Sequence, residues 1–167
     1  MAQAYSFEGM TLEEFDKYVV NWMNTTPLDG LTNCTFAEAY YMPMVEVITY
    51  LQNNGFNFYV VTGTDRQLVR NALTAIPSIA PDHVIGTDSV NIAQRQGFAG
   101  AQYFQFEPTD VMVRGAYQAT DNKMSKVSNI CREIGKRPVI GIGNTGSDAS
   151  MLNYAKFNDK YKGFVLS

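Results

Sequence analysis

The run Pro138-Val-Ile-Gly-Ile-Gly-Asn-Thr-Gly-Ser-Asp148 carries an apolar strand into a glycine-rich turn with one carboxamide and one carboxylate, and a helix follows. In α/β proteins, cation and phosphate sites form at this end of a strand. Magnesium takes oxygen ligands, usually one or two carboxylates with water and substrate. Asp148 suits a direct or water-mediated contact, and Asn144 a carbonyl ligand. A plainer use fits the same residues: Asp148 caps the helix and Asn144 serves the turn. Thr62 and Gly63 end another apolar run, where a hydroxyl and free backbone N–H groups suit a phosphate oxygen. Taken alone, they read as the end of a strand and a turn of the chain. Lys126 offers a fixed positive charge for a phosphoryl group or a carboxylate nucleophile. Taken alone, it reads as a solvated lysine like Lys123.

These residues need elements to position them. Thr11-Leu-Glu-Glu14 is a capping box, and Leu12, Phe15, Val19 and Trp22 follow at helical spacing. A second helical stretch begins near Thr35, meets Pro43, which forces a kink or a fresh start, and ends at Gly55. Phe56 to Thr62 reads as a strand, Thr64 to Gln67 as a capping box, and Leu68, Val69, Ala72, Leu73 and Ile76 as the buried face of a helix. His83 to Gly86 reads as a short strand, and residues 88–121 as hairpins or irregular strands. Lys126 opens a helix with Val127, Ile130, Cys131 and Ile134 inward. Val139 to Ile142 is a strand, Asp148 to Ala155 a helix and Gly163 to Leu166 a last strand. Strands alternating with amphipathic helices predict an α/β fold, with a parallel sheet covered on both faces. Thr62, Lys126 and the loop from Asn144 to Asp148 then gather at one sheet edge.

Composition narrows the classes. The 167 residues fit one domain, or a small core with a cap. A net charge of -3 gives no basic footprint for nucleic acid. No apolar run is long enough to span a membrane. Two cysteines, Cys34 and Cys131, are too few for a disulfide framework and read as buried thiols. His83 is the one histidine, so a multi-histidine metal site is excluded. No serine or cysteine stands in a nucleophile motif. Phe98, Tyr103, Phe104 and Phe106 suit either a pocket lining or packing of a cap. The start at Met1 shows no signal-peptide core, and a cytoplasmic location is the expectation if Met1 is the natural start.

In this order, Val60-Val-Thr62-Gly63, Lys126 and Gly143-Asn-Thr-Gly-Ser-Asp148 resemble the haloacid dehalogenase superfamily of phosphatases. Tyr41-Met-Pro-Met-Val-Glu-Val-Ile-Thr-Tyr-Leu51, Ile134-Gly-Lys-Arg-Pro138 and Asp148-Ala-Ser-Met-Leu152 look like its phosphoserine- and phosphorylcholine-phosphatase branch. The similarity runs from about Gly9 to the C-terminus. It implies a Rossmann-like parallel sheet with helices on both faces. Residues 1–35 would be part of a helical cap and residues 36–167 the core. It implies phosphate on Thr62, Gly63 and Lys126, magnesium at Asn144 and Asp148, and catalytic parts for Lys126 and Thr62. The substrate would be a small phosphorylated molecule.

The family's nucleophile and general acid come from a strand ending in Asp-X-Asp-Gly-Thr. The first aspartate forms an aspartyl-phosphate, and the second protonates the leaving oxygen. That motif is missing here; Asp29-Gly-Leu-Thr32 echoes it faintly, with Pro27 in place of the first aspartate. Asn144 and Gly146 also stand where acidic residues are usual. The family places the nucleophile strand between those matching Phe56–Thr62 and Val139–Gly143, so its loss leaves two inner edges open. The expectations are a phosphatase fragment inactive alone, a non-catalytic module that binds a phosphate ligand or a protein, or an assembly in which a strand from another chain or a second copy fills the gap.

Overall fold

The structure is a computed structural model that describes residues 7–76, 79–97, 106–161 and 163–166. Helix α1 (Leu12–Thr25) begins as its sequence demands: Thr11 Oγ1 accepts from the Glu14 amide, and Glu14 accepts from the Thr11 amide. A single 3-10 turn follows Thr35, and helix α2 (Met42–Asn53) then starts with Pro43 in its first turn. Pro43 therefore starts a helix afresh rather than kinking one, because its missing N–H is one that a first turn does not use.

Strand β1 (Val60–Asp65) starts and ends later than its composition predicts. Helix α3 (Arg66–Ala72) is capped by Asp65, whose Oδ1 accepts from the Leu68 amide, one residue beyond the predicted Thr64 cap. Strand β2 (Val84–Ala93) pairs parallel with β1 and antiparallel with β3 (Met112–Ala119). Of the hairpins or irregular strands expected over residues 88–121, the described residues form this antiparallel β2–β3 pair. Helix α4 (Met124–Glu133), strand β4 (Ile140–Ile142), helix α5 (Ala149–Lys156) and strand β5 (Phe164–Leu166) complete the order, with β4 and β5 parallel.

The fold is mixed α/β. Where one parallel sheet was expected, the described residues form a mixed three-stranded sheet, β1-β2-β3, and a separate parallel pair, β4-β5. Strand alternation sorts the core. Val60 and Val84 join Ile48, Ile76 and Ile79 beneath α2 and α3. Their neighbours Val61 and Ile85 join Ile130 of α4 and Met151 and Leu152 of α5. Successive residues of a strand point to opposite faces, so β1 and β2 are apolar on both. Helix α1 lays Phe15, Val19 and Met23 against Leu68 and Ala72 of α3. Gly9 and Arg114 join its entrance to β3 through backbone hydrogen bonds.

Two expectations about side chains change. Cys34 is half-buried and Cys131 exposed. Helix α4 keeps Ile130 buried and Ile134 packed beside it, as the apolar reading expects, but it also buries Lys126 and Asn129, a stripe at i, i+3 and i+4 that leaves Cys131 outside. Lys126 also lies within the first turn, which Met124 opens.

Candidate functional site

Lys126 is 3% exposed although it is a lysine. Its Nζ donates to the Val61 carbonyl of β1 at 2.6 Å and lies 3.5 Å from Asp148 Oδ1. One ammonium therefore joins β1 near its start, just before Thr62, to the turn after β4. Burying a lone ammonium costs several kcal/mol, so the carbonyl and the carboxylate are what make this position tenable.

The β4 turn holds Asp148 firmly. Its Oδ2 accepts from the Asn144 amide at 3.1 Å, the Thr145 amide at 3.2 Å and Thr145 Oγ1 at 3.1 Å. Burial alone would raise its pKa; the donors of Asn144 and Thr145, with Lys126, outweigh that and hold the carboxyl below the usual range. Gly143 makes the turn possible. A Cβ there would stand 2.6 Å from Asp148 Cβ, closer than real side chains approach.

Thr62 and Gly63, expected to end a strand, lie within β1, because the strand runs on to the Asp65 cap of α3. Thr62 is half-buried, and its Oγ1 accepts from the Thr64 amide at 3.1 Å, which leaves its own hydrogen free to donate. Gly63 is exposed, and the Asn122 carboxamide occupies the space a Cβ at Gly63 would need. Thr87 Oγ1 of β2 donates to the Gly63 carbonyl at 2.8 Å and accepts from the Asp121 amide at 3.1 Å.

Asp121, Asn122 and Asn129 join the site, and the sequence reading passes over them. Asp121 is fully buried. Its Oδ1 accepts from Asn129 Nδ2 at 2.8 Å, and its Oδ2 has no partner among the described residues. Burial raises its pKa, against the pull of Asn129, Lys126 and Arg66. The available signal is the spacing of Asn129 three residues after Lys126, which puts both on one helix face.

The expected magnesium ligands fit an ion only in part. Asp148 Oδ2 is taken by three donors, and its Oδ1 faces an ammonium. Asn144 is exposed. Among the described residues no group of three His, Cys, Asp or Glu gathers around a point. A full oxygen shell needs donors beyond these two residues.

The remaining candidates fall elsewhere. His83 ends a 3-10 turn just before β2, with Nδ1 3.0 Å from the Phe58 carbonyl and its ring stacked on Tyr59. Phe106 is exposed, whereas Phe98, Tyr103 and Phe104 lie outside the described residues. Among the described residues no helix is long and apolar enough to cross a membrane. Comparison with protein-family models and with curated proteins finds no match for this chain.

Proposed function

We propose that this chain is the core of a phosphomonoester hydrolase of the haloacid dehalogenase type, unable to complete the reaction alone. The observation that carries this reading is the reach of Lys126. Its ammonium touches the carbonyl before Thr62 and the carboxylate of Asp148, so three segments distant in sequence meet at one charge. Thr62 and Gly63 would receive a phosphoryl oxygen, and Lys126 would offset its charge. Asn144 and Asp148 would contribute to a magnesium shell completed by other donors; the ion would screen charge between phosphate and nucleophile.

What this chain's own residues supply is binding and orientation. No Asp-X-Asp-Gly-Thr run occurs in it. Among the described residues β1 pairs only with β2, and β4 only with β5. Each strand thus keeps an open edge, which is what a strand supplied by another chain, or by a second copy, would need. The Rossmann-like parallel sheet of the superfamily belongs to this same reading, with β1 and β4 on either side of the missing strand.

The test is magnesium-dependent release of phosphate from p-nitrophenyl phosphate. The chain alone should release none. The chain extended upstream by an Asp-X-Asp strand should release phosphate, and lose that activity on chelation or with Asp148→Ala. An extended, folded chain that stays inert would sink the proposal. A second reading, a non-catalytic module that binds phosphate or a protein, is favoured by one observation: Asp148 Oδ2 is already saturated by its own turn. Phosphate binding by that inert extended chain would select it.

A further inference from the structure

The segment before α4 does more than lead into a helix. Asp121 is buried and anchored twice, through its amide to Thr87 Oγ1 and through Oδ1 to Asn129. The Thr87 hydroxyl passes the first anchor on to the Gly63 carbonyl. Lys123, two residues later, takes a left-handed backbone with φ 53°, a conformation that residues with a side chain seldom adopt. Between these two fixed points stands Asn122. Its side chain is exposed, makes no hydrogen bond among the described residues, and lies against Gly63 where a Cβ would go. Oδ1 is the atom nearest that position, and Nδ2, without a partner among the described residues, has its donors to give.

We propose that Asn122 is a further ligand-binding residue, whose Nδ2 donates to the oxyanion that Thr62 and Lys126 receive. This rests on the phosphate site proposed above and adds a residue to it. The roles differ by chemistry. Lys126 supplies charge from within, whereas Asn122 supplies a neutral, directional donor from the solvent side. Gly63 is small because Asn122 is seated on it: any side chain at position 63 would push the carboxamide away.

The experiment is calorimetric titration of the whole chain with inorganic phosphate, beside Asn122→Ala, Asn122→Asp and Thr62→Val, with the thermal unfolding midpoint of each. Wild type should bind. Asn122→Ala should bind about tenfold more weakly, the effect of one hydrogen bond to an anion, with an unchanged midpoint. Asn122→Asp, which sets a carboxylate against the anion, should bind more weakly still. Unchanged binding in Asn122→Ala, with loss in Thr62→Val, would overturn the role of Asn122 and leave the phosphate site standing. A lowered midpoint in Asn122→Ala would make the residue structural and also overturn it. No binding by wild type would overturn the phosphate site and this inference together.

Discussion

Lys126 Nζ donates to the Val61 carbonyl at 2.6 Å, so a side chain of α4 satisfies the backbone of a strand whose one strand partner among the described residues is β2. The same ammonium faces Asp148 at 3.5 Å. The interaction joins the three-stranded sheet to the β4–α5 turn.

Lys126→Met should therefore destabilise the fold. It leaves Asp148 without its cation and Val61 without its donor, a loss of roughly 3 kcal/mol for a broken buried pair. Urea unfolding measures it. The double variant Lys126→Met/Asp148→Asn should recover part of the loss, because no charge is then stranded. Equal stability of wild type and Lys126→Met would show that the pair contributes nothing to the fold.

Asp121 and Asp148 should pull stability in opposite directions with pH. Asp148 has a lowered folded pKa, so its contribution is present above the ordinary aspartate value of 3.8 and is lost as pH falls through the folded value. Asp121 has a raised one; its contribution is present below 3.8 and is lost as pH rises through the folded value. Asn at position 121 cannot ionise. Asp121→Asn should thus compare better with wild type at about pH 7 than at about pH 4 in denaturant midpoints. The comparison between the two pH values cancels any fixed cost of the substitution. A difference independent of pH would mean that Asp121 titrates alike in folded and unfolded chains.

Gly143→Ala and Gly146→Ala should separate within one loop. The added Cβ at 143 meets Asp148 Cβ at 2.6 Å, whereas at 146 it meets nothing within 4 Å. The first should cost about 1–3 kcal/mol through overpacking. The second should stay within about 0.5 kcal/mol. Thermal unfolding of both variants decides it, and equal losses would contradict the geometry of the Asp148 turn.

Arg114 should resist replacement by lysine. It is 3% exposed, pairs with Asp65 at 2.5 Å and holds its guanidinium 3.9 Å above the Phe15 ring. Arg114→Ala strands Asp65, and a loss of roughly 3 kcal/mol is expected. Arg114→Lys should recover only part, since a lysine cannot both pair with Asp65 and lie flat on Phe15. Limited proteolysis at α1 would report the loosened Phe15 contact, and a lysine variant as resistant as wild type would contradict the planar role.

Much of the fold was legible where a local rule decides the outcome. Thr11 and Glu14 needed only each other to start α1. Pro43 announced a kink or a fresh start, and the structure takes the fresh start because a first turn does not use the missing N–H. The start of β1 lies later than its composition suggests because Phe58 serves the core and Tyr59 stacks on His83 before any ladder pairing begins. Strand β2 ran longer than its apolar residues suggest because Asp88 and Ser89 are engaged by Arg66 and Arg114 from other elements. For the site, the order of Thr62, Lys126 and Asp148 was readable, but the inward turn of Lys126 and Asn129 was not. Their partners, Val61, Asp148 and Asp121, come from outside α4, and no hydrophobic period encodes a polar interior.

The inward face of α4 constrains how this chain can vary. A rule that fills interior helix positions with apolar residues would write leucine at 126 and 129. Such a helix would pack on Ile85 and Met151 as readily as before, and it would strand a backbone carbonyl, an aspartate of the β4 turn and a second, sealed-in aspartate. Drift at these two positions is therefore restricted twice over, once by what the helix must cover and once by what it must feed with protons. A shuffled library of this helix, selected only for folding, should return polar residues at 126 and 129 beside an apolar residue at 130, a mixed inner face that an amphipathic pattern does not teach.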